Sequence, residues 1–373
     1  MQGVKKMKNR EKIGMAILAI VFVSMIFLSE GGERYKEQES AGVAFAKTKI
    51  TITDYRGRKV TLPYPVERIV LLQHHASWAI RLLGAQDKVV GISKLILEEG
   101  GYPELSSKPI VGTSFHPNYE RIAQLNPQVV ITFHPNPGWE LVREYEKKLE
   151  PFGIKVIFLR FTQMRTLQFK ILAKILGKEE RATRFLTWRK SKLTLVEEGL
   201  KDLEEKDKVR VYNEPDFRGN WITRPEISIN FAGGKNIADE LFPPEAIKES
   251  IEVKVDPEWV VERDPQVVIL ADWPPHSTGY NVKTDTKALE QLKEFMQRPG
   301  MGKISAVKNH RVYVMNYKLT TGCKAWIGAI YMAKIFYPDR FRNLHPEKIH
   351  REFYEKWLNM DYQGMHVYPP LNH

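Results

Sequence analysis

The stretch NYERIAQLNPQVVI at residues 118–131 returns as DPEWVVERDPQVVI at residues 256–269. Both copies contain PQVVI, and in each a glutamate, Glu120 or Glu258, stands seven residues ahead of the proline, Pro127 or Pro265. Asn118 and Asp256 are residue types that cap helix N-termini through a side-chain oxygen, and Pro257 suits a first helical position. Each copy therefore reads as a short helix, a turn, and a Pro-initiated strand apolar enough to be buried on both faces. Such a repeat points to two lobes of related design.

Working outward, short β-branched runs alternate with helical stretches, as βα units around a parallel sheet do. The first set of predicted strands is 68–72, 88–92, 109–112, 128–132 and 155–159. The second is 209–213, 266–270 and 311–315. Between them, residues 179–206 hold no proline and one glycine, Gly199. Ala182, Phe185, Leu186, Leu193, Val196, Leu200 and Leu203 fall on one helical face. A continuous helix of that length spans about 42 Å at ~1.5 Å per residue, enough to bridge two lobes.

The 373 residues exceed one ordinary domain. The predicted division is 1–46 as signal peptide or membrane anchor plus linker, 47–178 as first lobe, 179–206 as interlobe helix and 207–373 as second lobe. Lys5, Lys6, Lys8, Arg10 and Lys12 precede an apolar run from Ile13 to Leu28, broken only by Ser24. Sixteen residues are short for a membrane span and suit the apolar core of an export signal. Ala44-Phe45-Ala46 is a small-residue cleavage pattern, although the polar stretch from Ser29 to Ser40 separates it from the apolar run. An uncleaved anchor satisfies the same residues, and either reading makes the protein extracytoplasmic. The one cysteine, Cys323, permits neither an intramolecular disulfide nor a cysteine cluster.

The net charge of +12 raises nucleic-acid binding as a class. The basic residues are scattered, with no zinc-finger spacing, aromatic RNA-binding motif or long basic tract, which argues against it. Enzyme signatures are equally lacking: there is no Walker A loop, HExxH helix, G-x-S-x-G elbow, or G-x-G-x-x-G after a strand. A histidine-assisted metallohydrolase would need acidic ligands beside its histidines, and no Asp lies near His74, His75, His116 or His134 in the chain.

Residues 50–93, the two PQVVI segments, AGGKNIA at 232–238 and VKNHRVYVMN followed by AIYMAKIFYPDRF resemble, in that order, one known family. It comprises the periplasmic iron-siderophore, haem and cobalamin binding proteins of ABC importers, and the resemblance covers about residues 50–345. It implies an α/β fold of two Rossmann-like lobes joined by a single long interlobe helix, a monomer, and a membrane permease as partner. The implied cargo is an iron complex or similar metal chelate, with no resident cofactor. The family carries one permease-docking glutamate per lobe; by motif these are Glu120 and Glu258. Each falls in the first turn of its helix, where the macrodipole favours a carboxylate.

Ligands of open α/β sheets bind beyond the carboxyl ends of the strands. His74 and His75, His116 and His134 follow strands of the first lobe, and imidazoles suit a transition metal or a haem axial position. In the second lobe, Phe217, Arg218 and Trp221 follow one strand, Trp273, His276 and Tyr280 another, and Tyr317 and Lys318 a third. Trp139 completes the opposite wall. Aromatic rings cover a macrocycle or stack on a catecholate, while Arg or Lys pairs with an anionic chelate. Of these, His74, His75, His116, His134, Trp139, Arg218, Trp221, Trp273 and Tyr317 are the predicted ligand-binding set. A siderophore-type chelate, haem, a corrinoid and a bare divalent ion all remain open as cargo.

Overall fold

The computed structural model describes residues 48–99, 103–133, 139–161, 166–215, 221–243, 252–272, 277–320 and 324–371. The N-terminal segment 1–46, His134, Phe217, Arg218, Trp273, His276 and Cys323 lie outside the described residues.

An antiparallel hairpin, β1 (Lys49–Thr53) and β2 (Lys59–Pro63), opens the chain. Asp54 organises its turn by accepting hydrogen bonds from the Arg56 and Arg58 amides at 2.9 and 3.1 Å. The first lobe follows, built on β3 (Ile69–Leu71), β4 (Val89–Ile92), β5 (Val129–Thr132) and β6 (Lys155–Phe158), all parallel in the order β4-β3-β5-β6. The second lobe contains β7 (Arg210–Glu214), β8 (Ile222–Thr223), β9 (Lys235–Asn236), β10 (Val253–Lys254), β11 (Val267–Asp272), β12 (Val312–Asn316) and β13 (Val367–Tyr368). Its main sheet runs β13-β12-β11-β7-β9, parallel except for the antiparallel edge strand β13. Without β13, both sheets share one winding: the second strand, the first, the third and the fourth. The chain thus folds as two α/β lobes of the same topology.

The repeated sequence is repeated in its contacts. The Gln128 side-chain oxygen accepts from the Arg68 amide at 3.0 Å, as that of Gln266 accepts from the Arg210 amide at 3.0 Å. Arg68 Nε donates to the Asn126 carbonyl at 3.0 Å, and Arg210 Nε to the Asp264 carbonyl at 3.1 Å. Asn126 and Asp264 both turn the chain in the left-handed region, with φ of 44° and 41°. Asn and Asp tolerate that conformation better than other residues bearing a Cβ. Along PQVVI, Val129, Ile131, Val267 and Ile269 enter one shared core, while Val130 and Val268 pack on the opposite sheet faces.

That shared core holds the two lobes together. The helix Glu179–Leu200 buries Ala182, Phe185 and Val196. Phe185 makes edge contacts with Phe169 of the first lobe at 5.5 Å and Trp326 of the second at 6.2 Å. The helix stops six residues short of the predicted 206. At Gly199 a Cβ would lie 2.3 Å from the Phe341 ring, so the helix ends where the second lobe presses on it. The predicted strand 109–112 forms no named strand and makes isolated bridges instead, Ile110 parallel to Ile92 and Gly112 antiparallel to Pro117.

A C-terminal segment beyond the sequence resemblance adds a second tie. The helix Pro346–Glu352 continues as one π-helical stretch, Phe353–Leu358. Arg81 Nε of the first lobe donates to the Leu358 carbonyl at 2.7 Å, and Arg181 donates to the Trp357 carbonyl at 3.1 Å. Residues 47–373 form one compact unit, and no helix among the described residues is long and apolar enough to cross a membrane.

Candidate ligand site at the strand ends

The chain order reverses direction across each sheet between its first and third strands, β3 and β5 or β7 and β11, and such switch points are where open α/β sheets receive ligands. His74 and His75 leave the carboxyl end of β3, half-buried, with ring centroids 4.0 Å apart. Gln73 orders this turn by accepting from the His75 amide at 2.8 Å. His75 then begins the helix Ala76–Leu83, whose first turn carries Trp78.

His116 is exposed on a separate turn, where its amide donates to Thr113 Oγ1 at 3.1 Å. Among the described residues no three His, Cys, Asp or Glu side chains gather around one potential metal position. Trp139 opens the helix Trp139–Leu149.

In the second lobe Trp221 has φ of 54° and packs, half-buried, on the core between β7 and β11. Arg298 holds its ring from above at 5.2 Å and forms an ion pair with Glu214, at the end of β7, through contacts of 2.8 and 2.9 Å. Glu214 is fully buried, so this guanidinium both compensates an interior charge and supports the indole. Tyr317 sits beyond β12 on the short helix Tyr317–Thr320, only 5% exposed. Gly328 sets the position of that helix: a Cβ there would fall 1.6 Å from the Leu319 carbonyl oxygen, so only glycine lets the helix Ala325–Phe336 pack this closely.

The ends of β3 and β12 are joined through Trp78. Its ring, 3% exposed, stacks on Phe353 at 6.4 Å and meets Tyr354 edge-on at 6.0 Å. Lys318 Nζ lies 5.8 Å and Lys324 Nζ 4.4 Å from the same indole. Lys324 also donates to the Tyr354 hydroxyl at 3.0 Å. Behind them, the buried imidazoles of His350 and His366 lie 4.4 Å apart. Burial first, and then the neighbouring positive charges, push His366 down to about 3 and His350 well below its ordinary value. Both are therefore neutral and belong to the packed interior. Elsewhere in this lobe, burial raises Glu226 to about 7 against the opposing pull of Arg224, 3.4 Å away.

Sequence patterns did not single out Trp78, Lys324, Glu214 or Arg298 as site residues. Their partners are distant in the chain, and an isolated lysine or arginine carries no periodic signal.

Glu120 and Glu258 are both exposed and occupy matching first turns. Asn118 caps one by accepting from the Arg121 amide at 2.9 Å, and Asp256 caps the other by accepting from the Glu258 amide at 3.0 Å. Beside Glu120 an open groove of about 470 Å³ is lined by Tyr119, Ala123, Gln124, Lys148 and Phe152.

Comparison with known proteins agrees with this architecture. Residues 69–319 match the family model described as periplasmic binding protein. The molybdate-binding protein MolA of Haemophilus influenzae is 23% identical over 354 residues, covering 84% of this chain and 92% of the relative. An uncharacterized ABC transporter substrate-binding lipoprotein of Bacillus subtilis, YvrC, is 25% identical over 349 residues, covering 90% and 100%. Among solved structures, the TroA-like periplasmic binding protein FepB of Veillonella parvula superimposes with a TM-score of 0.69 at 25% identity, covering 85% of this chain and 99% of that one. The chain belongs to the periplasmic binding protein family, as an extracytoplasmic substrate-binding protein of an ABC transporter.

Proposed function

We propose that the protein captures an iron complex, a siderophore-type metal chelate, between its lobes and delivers it to a membrane permease. The observation that carries this reading is the pairing of His74 and His75 at the end of β3, a strand end tied through Trp78 to Lys318 beyond β12. Two imidazoles on one side, with aromatic and cationic groups on the other, suit a chelated metal that presents both a coordination centre and a charged organic shell. His116, His134, Trp139, Arg218, Trp221, Trp273 and Tyr317 extend the same walls in this proposal. Glu120 and Glu258 dock the two lobes, spanning 47–178 and 207–373 about the interlobe helix, onto the permease, and the protein acts as a monomer. Exposed carboxylates of this kind set orientation and encounter rate more than affinity.

Native mass spectrometry with absorption spectroscopy of the protein as isolated tests the reading. A ferric charge-transfer band with a matching ligand mass supports it. A Soret band, a corrinoid band or a bare divalent ion replaces it with a haem, cobalamin-type or direct metal carrier.

A further inference from the structure

We propose that the groove beside Glu120 is a socket for an apolar side chain of the permease, seated next to the cation that Glu120 attracts. This deepens the docking part of the reading above and rests on it. The groove is bounded by the helix Tyr119–Gln124, the end of the helix Trp139–Leu149 and the turn Glu150–Phe152. Tyr119 is anchored to the interior of the first lobe by an edge contact of 5.6 Å with the fully buried Tyr145. Phe152 instead stands 61% exposed. Its turn contains Pro151 and is closed by Gly153 at φ of 72°, whose amide donates to the Glu150 carbonyl at 2.8 Å. Proline and a left-handed glycine restrict the turn, so the ring is already placed before any partner arrives.

Glu120 brings one negative charge to the lining and Lys148 one positive charge, so net charge does not select what enters the groove. Apolar contact with Tyr119, Ala123 and Phe152 does, while the exposed Glu120 carboxylate steers a cation to its edge. The second lobe is built differently at the matched place. Trp259 follows Glu258, but Arg263 of the same helix lies over its ring at 4.9 Å. That arginine is itself paired with Glu240 at 2.6 Å and Glu262 at 3.0 Å. A cation of this chain already covers the aromatic surface beside Glu258. The lobes therefore offer the permease two unlike contacts, a charge with an apolar socket at Glu120 and a charge at Glu258.

The test places photoreactive p-benzoylphenylalanine in the full chain at position 152, and separately at position 262, one helical turn from Glu258. Each protein is irradiated in membranes of the source cells, and the crosslinked partner is identified by mass spectrometry. Both positions should capture an ABC permease subunit. That permease, purified in detergent, should then bind Phe152→Ser about tenfold more weakly than the unaltered chain, as loss of an interface aromatic does. Phe152→Leu should keep most of the affinity, and both variants should melt near the original temperature because the ring is largely exposed. High salt should leave the Phe152→Ser loss in place while shrinking that of Glu120→Ala. If position 262 captures the permease while position 152 captures a second copy of this chain, lipid or nothing, the socket is wrong and glutamate docking stands. If neither position captures it, both fall. Unchanged affinity in Phe152→Ser, or a loss that high salt removes, also overturns the socket.

Discussion

Lys324 Nζ of the second lobe lies 4.4 Å from the centre of the Trp78 ring of the first. The contact joins an interior cation to an aromatic face across the lobe boundary, beside the stack of Trp78 on Phe353. Removing the ring takes away both. Trp78→Ala should cost about 3–5 kcal/mol of stability, measured by chemical denaturation, whereas Trp78→Phe should cost less. A loss below about 1 kcal/mol for the alanine variant would mean that the boundary does not depend on this ring.

Docking is expected to depend on both lobes. Glu120→Ala and Glu258→Ala should each leave cargo affinity and melting temperature unchanged, because both side chains are exposed. Uptake in a reconstituted transporter should fall for each and further for the pair. Normal uptake by the double variant would show that these glutamates play no part.

The helix Glu179–Leu200 and the C-terminal tie through Arg81 and Arg181 both connect the lobes. Closure should therefore be limited to a few degrees. Small-angle scattering curves with and without cargo should nearly superimpose; a clear decrease in radius of gyration would refute this.

Two opposing pH dependences are expected. Burial pulls His366 from its ordinary 6.5 down to about 3 and shifts His350 the same way. Their contribution is present above pH 6.5 and is lost as pH falls towards 3, by up to about 5 kcal/mol for His366 alone. Glu226 is raised from 4.5 to about 7, so its contribution is full below pH 4.5 and is lost as pH rises to 7, by about 3 kcal/mol. Glu226→Gln should flatten the decline between pH 4.5 and 7, and His366→Gln should shallow the acid limb. Denaturation midpoints across pH 3–8 measure both, and an unchanged profile in either variant would remove that group from the account.

Gly328→Ala places a methyl group where the Leu319 carbonyl stands, 1.6 Å away. The backbone at residues 317–320 must shift, costing roughly 1–3 kcal/mol as overpacking does. Retained stability, read from the denaturation midpoint, would show that the two helices separate without penalty.

The PQVVI repeat, by itself, determined that there are two lobes, because its alternating apolar side chains must face two cores in each copy. Asn118 and Asp256 likewise announced their helices through local capping, and Asn126 and Asp264 are residue types that accept the left-handed turns that follow. These are short-range effects, settled by neighbours within a few residues. The helix end at Leu200 was not legible, because Phe341, a residue far along the chain, presses on Gly199. The pairing of His74 with His75 could be anticipated from adjacency, whereas the exposure of His116 depends on the turn that carries it. Only the tertiary structure put Trp78, Lys318, Lys324 and Tyr354 together. Each belongs to a different element, and the energy of bringing them into contact resides in burial and in charge held against aromatic rings, terms that no periodicity along the chain records.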